Sequence, residues 1–144
     1  MWSSSSSILW SSSIRSNWIK RNITIFIIFF LLYLVNRFLK PTTNIYLIDY
    51  ILQCHFNDFI GAIIFCVYTN TILVISKRRK PIFNFWALLV YMLIIAICWE
   101  FLFPIILPYS TSDFLDVIAY LFGTIVYFLL NIDMVNKKSN NIII

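Results

Sequence analysis

Along the chain, apolar residues run in long windows and charged residues collect between them. Four windows are long enough, or nearly so, to cross a hydrocarbon core of about 30 Å. The first covers 22–36 and is extended by Arg37, Phe38 and Leu39, the Arg37 guanidinium reaching the interface along its own aliphatic stem. The second covers 59–76, between Asp58 and Lys77, and the third covers 81–99 and stops at Glu100. The fourth covers 117–132, between Asp116 and Asp133, and Phe114 and Leu115 lengthen it at its start. Spans are thus expected at about 22–39, 59–76, 81–99 and 114–132. Each has to be helical, because a lone segment in lipid must satisfy its backbone N–H and C=O groups within itself. The short alternating strands of a membrane barrel are missing. The expected fold class is an all-α integral membrane protein, a four-transmembrane-helix bundle. Pro104 and Pro108 interrupt its loop before the last helix and turn the chain back toward the membrane.

Composition sharpens this picture. Of 144 residues, 61% are hydrophobic and 12% charged, with a mean hydropathy of +0.87. Soluble domains run at about 45–50% apolar and about 25% charged, and a chain this short cannot hide the excess in one water-solvated core. The lipid bilayer is therefore the first partner, and the length leaves room for about four or five spans, which excludes a large transporter.

Charge placement then orients the bundle. Arg15, Lys20 and Arg21 precede the first span, Lys77, Arg78, Arg79 and Lys80 join the second to the third, and Lys137 and Lys138 follow the fourth. These fall on one side, which the positive-inside rule makes cytoplasmic, and only Arg37 and Lys40 fall on the other. Both termini are expected inside (N-in/C-in). Asp49, Asp58, Glu100, Asp113 and Asp116 lie outside, and Asp133 alone lies inside. The formal net charge of +5 is then accounted for by cytoplasmic Lys and Arg beside anionic lipid, and no nucleic acid is implied.

Residues 1–18 hold nine serines and read as a Ser-rich disordered N-terminus, 19–135 as the transmembrane domain and 136–144 as a cytoplasmic tail. No small-residue cleavage site follows Val35, so the first span is expected to stay uncleaved. Cys54, Cys66 and Cys98 are odd in number, lack metal-type spacing and read as packing residues.

Ionisable residues cluster in two outer segments. In the first, Gln53-Cys54-His55-Phe56-Asn57-Asp58, helical spacing puts His55 and Asp58 on one face. His55 is the only histidine, so the pair reads either as a metal or proton-transfer group or as a polar cap, with Asp58 near a helix N-terminus. The second segment starts at Glu100, which has apolar residues on both sides and must face a bundle interior, a polar cavity or a partner charge. Ser110-x-x-Asp113 fits a capping box at the start of the fourth helix. Asp113, Asp116, Tyr120, Gly123 and Thr124 then fall on one helix face. That stripe carries polar groups into the membrane, with a small residue that admits a neighbouring helix. It is expected to face Glu100, and His55 and Asp58 across the bundle. Two readings stay open for it, a hydrogen-bond network that holds the helices together and a binding site.

The ordering of Glu100, Pro108, Asp113-Phe114-Leu115-Asp116 and Gly123 resembles the VanZ-like family of small multi-pass membrane proteins, over about residues 99–130. Ser110 stands where that family commonly has Arg, and Tyr120 where it commonly has Asn. Asp-x-x-Asp-Val-x-Ala-Tyr-x-x-Gly with the upstream His-x-Asn-Asp is closer to a short bacterial branch, some of whose members carry the label magnesium–citrate secondary transporter. The resemblance implies a plasma-membrane protein of this architecture, in a family associated with glycopeptide-antibiotic resistance.

Three functions follow as expectations. The first is a non-enzymatic membrane module that binds an envelope component, a small ligand or a partner protein through an outward-facing acidic pocket. The second is a small secondary transporter or ion-coupled carrier for protons, a divalent cation or Mg-citrate, which with four helices would have to work as a homo-oligomer. Its ligands would come from Glu100, Asp116, Asp113, His55, Asp58 and Tyr120. The third, a metal-dependent hydrolase, ranks last, because one histidine without a His-Glu-x-x-His motif ligates a catalytic metal poorly. No cofactor is required, and an all-carboxylate Mg²⁺ site is the one metal centre these residues leave open.

Overall fold

The computed structural model describes residues 12–39, 43–76, 81–106 and 113–140. Helix α1 covers Ser12–Leu39. A short helix α2 (Tyr46–Tyr50) passes through a π-helical turn (Ile51–His55) into α3 (Phe56–Ile75), so that Tyr46–Ile75 is one helical course. Helix α4 (Phe85–Ile97) likewise passes through a π-helical turn (Cys98–Leu102) into the short α5 (Phe103–Ile106). Helix α6 covers Phe114–Asn140. Four helical courses, Ile14–Leu39, Tyr46–Ile75, Phe85–Ile106 and Phe114–Met134, are long and apolar enough to cross a membrane, and no strand occurs among the described residues.

The boundaries differ from the charge-free windows for local reasons. Helix α1 starts ten residues before Asn22, so the serine-rich stretch is helical from Ser12 on, and residues 1–11 lie outside the described residues. Trp18 is buried there, and the Asn22 side chain donates to its carbonyl at 3.0 Å. This early turn is therefore packed into the bundle. Helix α4 begins at Phe85 and not at Pro81, because Asn84 is extended and its side chain accepts from the Ala87 N–H at 3.1 Å. Helix α6 runs past Ile132, through part of the expected tail, to Asn140. Residues 141–144 lie outside the described residues.

Pro104 does not break the third course. A proline has no N–H to give the carbonyl four residues back, here Glu100, and its ring crowds that carbonyl. The wider π-helical turn over Cys98–Leu102 lies directly before it and lets the chain stay helical through Ile106. Pro108 and the expected outer loop lie outside the described residues.

Most of the apolar surface faces outward. Only 17% of the α1 window is buried, and Ile27, Leu31, Phe38, Trp86, Ile94 and Phe122 are all exposed. A water-soluble fold would bury such residues against one another, whereas in a bilayer they contact acyl chains. The buried core lies mainly between α3 and α6, with Ile63, Cys66, Val67, Val117 and Tyr127, and Leu88 and Met92 of α4 close it. The backbones of α3 and α6 nearly touch. A Cβ on Gly123 would sit 2.3 Å from the Phe59 carbonyl oxygen and 2.9 Å from the Ala62 Cβ. A glycine is therefore required where these two helices cross. Helix α1 packs on α3, and α4 packs on α6.

Candidate functional site

Helices α3 and α6 run in the same direction, and their facing residues pair in register. His55 meets Asp116, Asp58 meets Tyr120, Gly123 packs on Phe59 and Ala62, Cys66 meets Thr124, and Asn70 meets Tyr127. The first rungs of this ladder form the acidic cluster. His55 closes the π-helical turn and is 7% exposed. Its Nδ1 lies 2.6 Å from an Asp116 oxygen, and its Nε2 is buried with no hydrogen-bond partner. The Tyr120 hydroxyl donates to Asp58 at 3.1 Å. Asp58 in turn neighbours Asp116 and lies within electrostatic reach of Glu100.

The start of α6 places Asp113 differently from a capping box. Asp113 is itself the residue before the helix, its carboxylate accepts from the Leu115 N–H at 2.9 Å and its carbonyl from the Asp116 N–H at 3.2 Å. Ser110 lies outside the described residues. Glu100, buried in the second π-helical turn, accepts from the Asp113 N–H at 3.1 Å and so ties α4 to the head of α6.

Ligand atoms of His55, Asp113 and Asp116 all fall within 4.8 Å of one another. With Glu100 and Asp58, this end of the bundle gathers four of the chain's six acidic residues and its only histidine. Each of the four carboxylates has one oxygen fixed by a contact from this chain. His55, Asp113 and Asp116 each offer one ligand atom within that distance, two of them carboxylate oxygens of the kind hard divalent cations take, and Glu100 and Asp58 border the group. Of the expected site residues, Glu100, Asp113, Asp116, His55, Asp58 and Tyr120 all belong to this group.

Asp49 does not join them. Asn44 adopts a left-handed conformation (φ 63°) in the turn before α2, and Asp49 accepts there from the Thr43 N–H and hydroxyl at 2.6 and 2.8 Å. Asn36, which the charge pattern passed over, is buried and supports the cluster from behind. Its amide donates to the Leu52 carbonyl, inside the first π-helical turn, at 2.8 Å and to Asn57 at 3.0 Å. A polar residue inside an apolar window was the available signal.

The opposite end of the bundle holds a second polar group that sequence reasoning also missed. The Asn70 amide donates to the Tyr127 hydroxyl at 3.0 Å, which donates to Asn22 at 3.0 Å, and the Asn70 oxygen accepts from the Ile82 N–H at 2.7 Å. Arg21 donates to the Leu130 carbonyl and lies 3.8 Å from Asp133. These contacts join α1, α3, the start of the third course and α6.

Among the described residues, four apolar helices of membrane-spanning length with an acidic cluster at one end of them fit a membrane protein. Comparison with protein-family models, curated proteins and solved structures returns no match to this chain.

Proposed function

We propose that this chain is a small multi-pass membrane protein that binds a divalent cation in the His55–Asp58–Glu100–Asp113–Asp116 cluster, as a cation-binding module or ion-coupled carrier. The observation that carries this reading is the grouping of His55, Asp113 and Asp116, whose ligand atoms lie within 4.8 Å of one another, with Glu100 bonded to the Asp113 N–H and Asp58 beside Asp116. Carboxylates gathered inside a bundle repel one another in a low-dielectric setting, and a bound cation offsets that repulsion. The basic residues Arg15, Lys20 and Arg21 lie at the far end of α1 from the cluster, which supports an N-in/C-in orientation with the cluster facing outward across a plasma membrane. A VanZ-like membership rests on Glu100, Pro108, Asp113, Asp116 and Gly123 and is consistent with this placement. A carrier role requires a homo-oligomer, because four helices are few for alternating access.

Thermal unfolding of the detergent-purified chain with Mg²⁺, Ca²⁺, Mn²⁺ or Zn²⁺, each with and without citrate, tests the reading. A ligand at about 100 times its Kd stabilises the native state by about 2.7 kcal/mol, so one ion is expected to raise the melting temperature by several degrees. The Glu100→Gln/Asp116→Asn double variant keeps an amide oxygen at each position to accept the Asp113 N–H and to face His55, and is expected to fold and to lose the shift. Absence of any ion-dependent shift in the wild-type chain would exclude a divalent-cation site. It would leave binding of an envelope component through the acidic pocket as the reading.

A further inference from the structure

A cleft of about 560 Å³ opens between α1 and α4 over the face of α3. Its volume is within the ~300–1,000 Å³ of small-molecule sites. The cleft is polar at one end and apolar at the other, along the axis of the bundle. Arg37, Gln53, Asn57 and Asp58 line it near the acidic cluster, and Phe65, Met92 and Ile95 line it farther down. Asp58 and Phe65 are seven residues apart on α3, about 10 Å at 1.5 Å per residue. Helix α3 has 20 residues, about the length that crosses the hydrocarbon core, so Asp58, in its first turn, lies at the interface and Phe65 within the acyl region. Trp99 and Tyr33 also line the cleft, residue types enriched at that level.

Two opposite charges share this space without pairing. Among the described residues Arg37 makes no ion pair, and Asp58 is held by the Tyr120 hydroxyl and not by a cation. Both side chains line the cleft. The cleft is open at Gly61 as well, since a Cβ added there would meet nothing within 4 Å.

We infer that the cleft binds one phospholipid with a zwitterionic amino-phosphate headgroup, a phosphatidylethanolamine, with its phosphate on Arg37, its primary ammonium on Asp58 and an acyl chain along Phe65, Met92 and Ile95. The guanidinium takes phosphate through paired N–H donors, and the ammonium gives Asp58 a charge-assisted hydrogen bond. An anionic glycerol headgroup would place no cation at Asp58. A quaternary choline would place a cation there with no N–H to donate. Asp58 also belongs to the acidic cluster of the proposed cation site, but the rest of the cleft lies on α3 toward α1, so lipid capture is read with divalent ions removed.

The test uses the full chain in detergent with EDTA present, which separates it from the cation reading. Native mass spectrometry and thermal unfolding are measured with dioleoyl-phosphatidylethanolamine, dioleoyl-phosphatidylglycerol and dioleoyl-phosphatidylcholine at equal mole ratios. One phosphatidylethanolamine per chain is expected, preferred about tenfold over the other two, the size of one charge-assisted hydrogen bond. Asp58→Asn is expected to erase the preference, Arg37→Gln to weaken all three lipids, and Gly61→Leu to narrow the cleft and reduce retention of all three while the lipid-free chain keeps a cooperative thermal transition. Equal retention of phosphatidylglycerol or phosphatidylcholine by the wild-type chain would overturn the inference, as would unchanged retention by Gly61→Leu. If Gly61→Leu does not fold, Asp58→Asn decides, because a preference that survives that substitution also overturns it.

Discussion

The two ends of the bundle use the same helices for different purposes. At the Asn70 end, neutral groups pair donor to acceptor: Asn70, Tyr127, Asn22 and the Ile82 N–H form a chain in which each member serves the next. At the His55 end, acceptors outnumber donors. Four carboxylates share one imidazole, one tyrosine hydroxyl and two backbone N–H groups. A satisfied neutral network stabilises a fold in low dielectric, whereas a cluster with surplus acceptors and like charges costs stability until a cation or proton arrives. The same helix pair, α3 and α6, therefore carries a structural clamp at one end and the proposed binding site at the other. The helical distortions fall at the site end, where the π-helical turns at Ile51–His55 and Cys98–Leu102 deliver His55 and Glu100. Such turns are frequent where function demands a side chain off the regular helical register.

Gly123 holds both ends together, and replacing it should erase the contrast. A Gly123→Val side chain has no room against the Phe59 carbonyl and Ala62. Overpacking costs about 1–3 kcal/mol, this contact with backbone falls at the upper end, and a large fall in the melting temperature is expected for the whole chain. Asn70→Ala is the next largest and separates the two ends. It leaves the Ile82 N–H without its acceptor and removes the donor to Tyr127, at about 1–3 kcal/mol for a stranded buried group. The melting temperature should fall while the ion-dependent shift stays at its wild-type size, a split that thermal unfolding with and without the ion reads directly. Asp133→Asn is the smallest. Its 3.8 Å pair with Arg21 is exposed on the Asp133 side, and such pairs contribute about 0.5 kcal/mol or less, so melting temperature and ion response should both stay within error of wild type.

The four helical courses were legible because lipid allows little else: a charge-free run of span length has to be helical. The acidic stripe was legible too. Asp113, Asp116, Tyr120, Gly123 and Thr124 follow helical spacing, and α6 turns that face to α3 and Glu100. What escaped depends on partners distant in the chain. The first π-helical turn is matched by Asn36 reaching the Leu52 carbonyl from another helix, and no local pattern announces that bond. Asn22, Asn70 and Tyr127 carry no charge, so windows drawn between charged residues passed over the clamp they form. The serine-rich stretch is low in complexity, and its order from Ser12 on depends on Trp18 and Asn22 being packed against the rest of the bundle. Asp113 was placed one turn inside its helix, because the residue that caps a helix and the residue that completes a capping box are the same chemical types.

Mn²⁺ binding, followed by loss of the free-ion electron paramagnetic resonance signal, tests most directly the claim that one end is a cation site and the other a clamp. The wild-type chain and Asn70→Ala, both assayed below their melting temperatures, are expected to take up one Mn²⁺ per chain, and Asp116→Asn none. Equal uptake by Asp116→Asn and the wild-type chain, or no uptake by either, would contradict the assignment of the His55 end as the binding site.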